Sequence, residues 1–263
     1  MSVNKEEIRE HIQRQYAKVA KKETKSCCNG SCGCNGTAIN ITEVSKKLGY
    51  TEKDLLDAPL DSNMGLGCGN PVAIASLKKG ETVLDLGSGG GFDCFLARKQ
   101  VGATGFVIGV DMTPDMVTLA RKNAAQIGCT NVDFRLGEIE HLPVEDNSVD
   151  VIISNCVINL SLDKKQVFRE MFRVLKSGGR VSISDVVAIA QIPKEMQQDL
   201  ELISGCMGGA EQVGNIQNML QNVGFNEIKL VPKSNSAEIV AKWAPESKIE
   251  NYVASYIIEA IKK

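Results

Sequence analysis

The residues of this 263-residue chain that could carry unusual chemistry are its nine cysteines. Four of them crowd into one short segment, at Cys27, Cys28, Cys32 and Cys34. The other five are spread along the rest of the chain, at Cys68, Cys94, Cys129, Cys156 and Cys206. A cysteine in a reducing compartment is most often a small buried hydrophobe, less often a metal ligand or redox group, and least often part of a structural disulfide. The setting of each cysteine therefore matters more than the number.

Sequence context separates the five scattered cysteines. Cys94 lies on a predicted helix and Cys129 follows one, which fits a role as buried hydrophobes. Cys68 and Cys206 lie in glycine-rich turns, which seldom enter an apolar core, so a buried role fits these two poorly. Cys156 follows a predicted strand, at the edge of the sheet where α/β proteins bind ligands. Three thiols that are distant in sequence are thus candidates for ligand or redox chemistry.

A glycine-rich turn supplies a second candidate site. Residues 85–91 have the pattern Asp-x-Gly-x-Gly-x-Gly, in which glycines let the main chain turn tightly and approach a ligand. Phe92 stands where a dinucleotide fingerprint requires glycine, and the Gly-Lys-Ser/Thr of a phosphate-binding loop is absent. Asp111 ends the next predicted strand, where a carboxylate can accept hydrogen bonds from both ribose hydroxyls. Either acid alone could merely cap a turn, but the combination indicates a nucleoside site and disfavours an NAD oxidoreductase.

The elements that must position these residues alternate between strand and helix from Gly80 onward. Strands are predicted over residues 82–86, 105–110, 132–136, 149–154 and 180–187. Helices are predicted over residues 92–99, 113–127 and 163–175. This alternation is typical of a doubly wound parallel sheet with helices on both faces. The tail departs from it, with helices predicted near 194–203 and 211–222, strands near 228–231 and 238–243, and a terminal helix from about residue 249.

Helices are also predicted before this central region. A charged helix over residues 5–22 carries a thin apolar stripe, formed by Ile8, Ile12, Tyr16 and Val19. Two short helices follow the cysteine-rich segment. The second has Thr51 as its N-cap and Asp54 three residues on, which is close to a capping box.

Composition excludes several classes of protein. The net charge is −2, from 30 Lys and Arg against 32 Asp and Glu, whereas a nucleic-acid binder normally presents a basic face. No run of about 18 apolar residues could span a membrane, and the first residues lack the apolar region of a secretory signal. We therefore expect a cytoplasmic enzyme or binding protein that uses neither nucleic acid nor a membrane as a partner.

With these features the chain resembles the arsenite S-adenosylmethionine methyltransferases, a family within the class I methyltransferase superfamily. The similarity extends from about Tyr16 to the end of the tail. The motifs that carry it are the Cys-Cys-x3-Cys-x-Cys cluster, Gly65-Leu66-Gly67-Cys68-Gly69-Asn70-Pro71, Val110-Asp111-Met112-Thr113-Pro114, Gly137-Glu138-Ile139-Glu140-His141-Leu142-Pro143, Ser154-Asn155-Cys156-Val157-Ile158-Asn159-Leu160, Gly205-Cys206-Met207-Gly208-Gly209-Ala210 and Tyr252-Val253-Ala254-Ser255.

The resemblance implies an α/β fold, with a doubly wound, Rossmann-like class I methyltransferase core and an α+β C-terminal arsenic-binding region. We expect an N-terminal helical, cysteine-rich segment over residues 1–71, a cofactor domain over 72–187 and a substrate region over 188–263. The implied cofactor is S-adenosyl-L-methionine. The residues that match its binding positions are Asp85, Gly87, Gly89, Gly91, Asp111, Met112, Gly137, Glu138, Ile139 and Asn155.

The resemblance also implies that Cys68, Cys156 and Cys206 are the catalytic thiols and bind trivalent arsenic, as arsenite or methylarsenite. Thiolates hold this soft element as a neutral pyramidal complex, whose lone pair attacks the sulfonium methyl group without a general base. The absence of a base agrees with His11 and His141, neither of which lies in a catalytic pattern.

Methylation raises arsenic to the pentavalent state, and two thiols can return the electrons by forming a disulfide. Thioredoxin or glutathione is the expected reductant that resets the thiols. In the family, the cysteine that matches Cys68 can form a disulfide with an N-terminal cysteine. Four residues here are candidates for that redox partner: Cys27, Cys28, Cys32 and Cys34.

Two other functions stay open at this point. A quinone-type small-molecule C-methyltransferase would share the core and the Leu142-Pro143 stretch, and would not need three cysteines. A non-catalytic, thiol-rich protein could hold zinc or copper(I) in the N-terminal cluster, although that cluster lacks the paired CxxC spacing of a structural zinc site.

Overall fold

The computed structural model describes residues 4–21, 41–244 and 247–263. Within these ranges one sheet contains seven strands, β1 (Thr82–Leu86), β2 (Phe106–Asp111), β3 (Val132–Leu136), β4 (Val149–Asn155), β5 (Leu175–Ala188), β6 (Phe225–Pro232) and β7 (Val253–Lys262). The helices are α1 (Lys5–Ala20), α2 (Ile41–Leu48), α3 (Glu52–Asp57), α4 (Pro71–Ile74), α5 (Phe92–Val101), α6 (Pro114–Gln126), α7 (Lys164–Val174), α8 (Lys194–Gln197), α9 (Leu200–Ser204), α10 (Val213–Val223) and α11 (Ser236–Trp243). Single 3-10 turns lie at Leu60–Ser62, Ile158–Leu160 and Ile249–Asn251.

The strand order across the sheet is β3-β2-β1-β4-β5-β7-β6. Strands β1 to β5 are parallel, and β7 runs antiparallel between β5 and β6. Strands β2 and β3 follow one another on one side of β1, and strands β4 and β5 lie on its other side. Because the strand order reverses between β1 and β4, a crevice opens beyond their carboxyl ends, where α/β sheets bind ligands. The doubly wound, Rossmann-like fold expected from the sequence is confirmed.

Alternate residues of each central strand supply the two apolar layers of the core. In β1, Leu84 and Leu86 belong to the layer beneath α7 and α10, together with Phe168 of α7. Val83 faces the other side of the sheet and packs with Phe95 of α5. Burial of such side chains contributes about 1.5–3 kcal/mol each to folding. The two apolar layers hold the sheet in place from both faces, and the position of the sheet determines where the residues at its carboxyl edge lie.

Local sequence defines several of the helix starts. The Thr51 hydroxyl accepts a hydrogen bond from the Asp54 N–H, and the Asp54 carboxylate accepts one from the Thr51 N–H, so the predicted capping box of α3 is confirmed. The Asp199 side chain caps α9 in the same way, through the N–H groups of Glu201 and Leu202. Because Asp199 favours a cap over a helix interior, the helix predicted near 194–203 is divided into α8 and α9.

The strand predicted near 238–243 is wrong, since these residues belong to helix α11. Short apolar segments fit either period, and tertiary packing decides between them. As a helix, the segment places Ser236 and Val240 four residues apart on one face, and both are buried. The Ser236 hydroxyl also accepts a hydrogen bond from the Ser255 N–H at 2.6 Å, which ties α11 to β7.

The predicted terminal helix is also wrong, because Val253–Lys262 forms strand β7. Its apolar residues recur every four positions, at Val253, Ile257 and Ile261, and a spacing of four is compatible with a helix and with a strand. Pairing decides in favour of the strand. Residues of β5 from Arg180 to Ala188 pair with β7 along its length, and β6 pairs with its other edge. Among the described residues, we find no helix with the length and apolar character needed to cross a membrane.

Candidate active site

A cavity lies at the carboxyl ends of β1, β2 and β4, where the sequence predicted a ligand site. Eight of the predicted site residues line it, namely Asp85, Gly87, Gly89, Asp111, Met112, Ile139, Asn155 and Cys156. Of the remaining cofactor positions, Gly91 and Glu138 are next in sequence to the lining residues Gly90 and Ile139, and Gly137 is hydrogen-bonded to Asp111. Because these parallel strands end at the same edge of the sheet, residues that are distant in sequence lie together there.

The glycine turn forms one wall of this cavity. Gly87, Gly89 and Gly91 have φ values of +68°, +51° and +91°, which side-chain-bearing residues rarely adopt. A Cβ atom on Gly87 would press against Val157, whereas one on Gly89 would meet no atom within 4 Å. Gly89 therefore presents bare backbone to the open cavity, which suits the close approach of a ligand.

Two buried carboxylates flank the glycine turn. Asp85 is 2% exposed, and burial together with the nearby Asp93 raises the pKa of its carboxyl well above the ordinary value. The Cys94 thiol donates a hydrogen bond to Asp85 at 3.2 Å. A buried carboxylate with so few donors is well suited to a cationic ligand group, such as the ammonium of S-adenosylmethionine.

Asp111 lies on the other side of the turn. Its carboxylate accepts hydrogen bonds from the N–H groups of Gly89 at 2.9 Å and Thr113 at 2.8 Å. Burial nonetheless raises the pKa of Asp111 above its ordinary value. These bonds orient the carboxylate at the end of β2, and the lone pairs that remain suit ribose hydroxyl donors.

The segment after β3 completes the cofactor side of the cavity. The Gly137 N–H donates to the carbonyl oxygen of Asp111 at 3.0 Å, and a Cβ on Gly137 would lie 2.7 Å from the Pro143 ring. Ile139 is buried and lines the cavity. Glu138 forms an ion pair with Arg9 of α1 at 3.5 Å.

The three candidate cysteines lie together in one apolar cluster, and of the three Cys156 lines the cavity. Cys68 and Cys156 form a disulfide, although 88 positions separate them in sequence. The Cys206 thiol is free and donates a hydrogen bond to the carbonyl oxygen of Cys156 at 2.6 Å. Both Cys156 and Cys206 have left-handed backbone, with φ values of +55° and +63°. The fold thus brings these thiols into one group next to the cofactor wall.

The expectation that Cys68 and Cys206 avoid an apolar environment is wrong. They are 0% and 3% exposed and belong to an apolar cluster with Cys156, Met207 and Val253. Their loops are enclosed because the chain beyond β5 folds over the carboxyl edge of the sheet. Cys94 is buried as predicted, and Cys129 is half-buried. The cysteines at positions 27, 28, 32 and 34 lie outside the described residues.

Buried polar groups hold the loop that carries Cys206. The Asn159 amide donates to the carbonyl oxygen of Cys206 at 3.1 Å and to the carboxylate of Asp185 at 3.0 Å. Burial raises the pKa of Asp185 to about 7, although the Val186 and Ile158 N–H groups donate to it. Burial, together with the Asp185 charge, also raises the pKa of the Cys206 thiol well above its ordinary value.

Helix α1 closes part of the cavity, a role that sequence analysis missed. Arg9, Ile12 and Tyr16 line the cavity, and the Tyr16 hydroxyl donates to the carbonyl oxygen of Ser204 at 3.2 Å. The apolar stripe of the helix indicated a packed face. Nothing in the sequence indicated that this face covers the ligand site.

Comparison with known proteins places this chain in a family. Residues 77–224 match a family described as a methyltransferase domain. The arsenite methyltransferase of Halobacterium salinarum is 46% identical, over 98% of this chain and 67% of the relative. The human arsenite methyltransferase is 34% identical, over 86% of this chain and 60% of the relative. The chain therefore spans about two thirds or less of the length of the curated relatives that it matches.

Solved structures agree with these matches. An arsenic(III) S-adenosylmethionine methyltransferase from Chlamydomonas reinhardtii superposes with a TM-score of 0.60 at 32% identity, covering 84% of this chain and 73% of the other. Phosphoethanolamine N-methyltransferase 2 of Haemonchus contortus, in complex with S-adenosyl-L-methionine, has a TM-score of 0.62 at 19% identity, over 81% of this chain and 60% of the other, which shows a shared fold. The chain belongs to the arsenite methyltransferase family of S-adenosylmethionine-dependent methyltransferases.

Proposed function

We propose that this chain transfers methyl groups from S-adenosylmethionine to trivalent arsenic held by Cys68, Cys156 and Cys206. One observation carries the proposal. Three cysteines from distant parts of the sequence lie together: Cys68 and Cys156 form a disulfide, the Cys206 thiol donates to the Cys156 carbonyl oxygen, and Cys156 lines the cavity that the glycine turn and two buried carboxylates also line. Family membership supports the same activity and substrate.

The chain's own residues would hold the cofactor at the glycine turn. Gly89 offers bare backbone, Asp85 a carboxylate for the ammonium group, and Asp111 a carboxylate for the ribose hydroxyls. Ile139 would contact the adenine from the segment after β3. When bound, S-adenosylmethionine supplies an electrophilic methyl group on its sulfonium sulfur. Helix α1 excludes water from this part of the cavity, which strengthens the electrostatic interactions within it.

The thiols would hold arsenic as substrate. Three cysteine sulfurs replace the three hydroxides of arsenite, and three water molecules leave, which gives a neutral pyramidal complex. The arsenic lone pair needs no deprotonation. Catalysis would then depend on positioning within a water-poor site rather than on a general base.

The electrons required after methylation would come from two of the same thiolates. The methylated product is formally pentavalent arsenic bound to three sulfurs. Formation of the Cys68–Cys156 disulfide would oxidise two thiolates by two electrons and return arsenic to the trivalent state. Water would supply a hydroxide to the arsenic and release a proton, which leaves CH3–As(OH) bound to the Cys206 sulfur. The disulfide between Cys68 and Cys156 supports this pairing. A dithiol or two monothiols must then reduce the disulfide, and we expect thioredoxin or glutathione in the cytoplasm to do so.

The direct test is a product assay. The purified chain is incubated with arsenite, S-adenosylmethionine and a dithiol reductant, and the arsenicals are separated and identified by mass spectrometry. We expect methylated arsenicals that require all three components. If calorimetry shows that the cofactor binds but no methylated arsenical forms, the proposed function is wrong.

A further inference from the structure

A hydrogen-bonded cluster, in which Tyr50 and Asp93 are buried and Asn155 is half-buried, connects the cofactor turn to the Cys68 loop. Asn155, at the end of β4, is its centre. The Asn155 side-chain oxygen accepts a hydrogen bond from the Cys68 N–H at 2.9 Å, and its amide nitrogen donates to the Gly69 carbonyl oxygen at 2.8 Å. One amide group thus binds the backbone on both sides of the Cys68 side chain.

Two further residues orient the Asn155 amide. The Tyr50 hydroxyl donates to the Asp93 carboxylate at 2.7 Å, and the Asn155 amide nitrogen lies 3.0 Å from that hydroxyl and 3.2 Å from Asp93. Tyr50 and Asp93 are both buried, and the Tyr50 ring packs edge-on against Phe92 with centroids 5.0 Å apart. With both acceptors on the nitrogen side, the amide can have only one orientation, so its oxygen must face the Cys68 N–H.

We call the three hydrogen-bonded residues Tyr50, Asp93 and Asn155 the clamp. The backbone of the Cys68 loop comes close enough to Asn155 to bind it. A Cβ atom on Gly67 would lie 2.8 Å from the carboxamide carbon of Asn155, and one on Gly69 would lie 2.8 Å from the Lys233 ammonium. The two glycines therefore let the backbone approach both partners. The Cys68 carbonyl oxygen accepts further hydrogen bonds from Lys233 and Ser255, each at 3.0 Å.

We propose that Tyr50 and Asp93 are positioning residues that act through Asn155 to hold the Cys68 loop against Cys156. The side-chain hydrogen bonds described for Tyr50 and Asp93 go to each other and to Asn155. Asp93 lies in the first turn of α5, two residues after Gly91, so the clamp is built on the element that forms the cofactor turn. The significance of this clamp for arsenic binding rests on the proposed function, whereas its effect on Cys68 and Cys156 is a property of the fold.

The test measures how readily Cys68 and Cys156 pair, without arsenite or cofactor. The reduced full chain is equilibrated with mixtures of reduced and oxidised glutathione, in which one oxidised glutathione yields the protein disulfide and two reduced glutathiones. Alkylation and mass spectrometry then give the oxidised fraction of this pair. The equilibrium constant depends on the effective concentration of one thiol at the other, so it reports positioning.

Two variants probe the clamp, with a third as control. Tyr50→Phe removes one hydroxyl and should lower the equilibrium constant about fivefold, the equivalent of one net hydrogen bond. Asp93→Asn preserves the shape of the side chain but presents a donor where Asn155 needs an acceptor. This variant should lower the equilibrium constant for disulfide formation about tenfold or more. Tyr256→Phe removes a hydroxyl from β7, on a residue that packs against the main core, and should leave it unchanged.

A purely structural role predicts a different outcome. In that case Tyr50→Phe would lower the melting temperature and leave the exchange equilibrium within about twofold of wild type, which would overturn the proposal. If Tyr50→Phe lacks a cooperative unfolding transition, the isosteric Asp93→Asn variant decides by the same criterion. Failure of the protein to methylate arsenite would contradict the proposed function but would not change the result of the thiol-disulfide exchange experiment. The proposed function and the positioning role of Tyr50 and Asp93 can therefore be tested separately.

Discussion

The Cys206 thiol donates a hydrogen bond of 2.6 Å to the main-chain carbonyl oxygen of Cys156, fifty residues earlier in the chain. This contact holds the Cys206 thiol against the Cys156 backbone while Cys68 and Cys156 are joined as a disulfide. In the proposed mechanism, Cys206 is the thiol that would retain a methylated arsenical while its neighbours are oxidised. The arrangement makes the roles of the three cysteines experimentally separable.

Cys206→Ser should weaken arsenite binding about 100-fold, because a third ligand on a preorganised site binds at a high effective concentration. The serine hydroxyl can donate the same hydrogen bond to Cys156, so the loop should keep its structure. Arsenite affinity can be measured by equilibrium dialysis with elemental analysis. Cys129→Ser, at a half-buried cysteine outside the cavity, is the matched control and should bind arsenite as wild type does. Equal affinity of the Cys206 and Cys129 variants would contradict the assignment of Cys206.

Two glycines with similar backbone conformation test whether the cofactor approaches the glycine turn, one as the probe and the other as its control. Gly89 and Gly128 have φ values of +51° and +59°, and a Cβ atom at either would meet no atom within 4 Å. Alanine at either position should therefore cost a similar free energy of unfolding, about 1–2 kcal/mol. Only Gly89→Ala places its methyl group in the cavity, so only this variant should lose affinity for S-adenosylhomocysteine in calorimetry. Equal cofactor affinities would mean that the ligand does not approach Gly89.

Asp85→Asn should weaken cofactor binding about tenfold or more, because a hydrogen bond to a charged partner contributes about 1.5–3 kcal/mol. The amide preserves the shape of the site, and its oxygen can still accept the Cys94 thiol proton. Isothermal titration calorimetry with S-adenosylmethionine measures the effect. An unchanged dissociation constant would show that Asp85 is not the partner of the ammonium group.

The same variant should make the unliganded protein more stable. Burial and the nearby Asp93 raise the pKa of Asp85 in the folded state, so the folded protein binds its proton more tightly than the unfolded chain does. Stability linked to this proton is fully present below the unfolded pKa of about 3.9 and is lost as the pH rises through the higher folded pKa. The free energy of unfolding of Asp85→Asn should therefore exceed that of wild type near neutral pH and converge with it in acid. Denaturant titrations at several pH values test this, and a constant difference would refute it.

Local patterns predicted the parts of the fold that depend on neighbouring residues. The alternation of strands and helices and the turn between Asp85 and Gly91 are encoded over short distances. Strand β7 was mistaken for a helix because the spacing of Val253, Ile257 and Ile261 fits both periods. Only pairing with β5 and β6 distinguishes them, and pairing partners are not visible in the segment itself.

The site was predictable where one segment carries its chemistry, as with Asp111. The hydrogen bonds between Tyr50, Asp93 and Asn155 were not predicted, because the three residues come from three segments. The motif that contains Asn155 indicated a cofactor contact and not these partners. The same holds for α1, whose buried Ile12 marked a packed face without indicating the cavity beneath it. Such contacts depend on how helices and strands from different parts of the chain pack together, which no single segment of the sequence indicates.

The central claim is that Cys68, Cys156 and Cys206 together hold trivalent arsenic. X-ray absorption spectroscopy at the arsenic edge, on the reduced protein loaded with one equivalent of arsenite, measures the ligands directly. We predict three sulfur neighbours in wild type, and two sulfurs with one oxygen in each of Cys68→Ser, Cys156→Ser and Cys206→Ser. A first shell of oxygen in wild type, or a three-sulfur shell that persists in all three variants, would contradict the account.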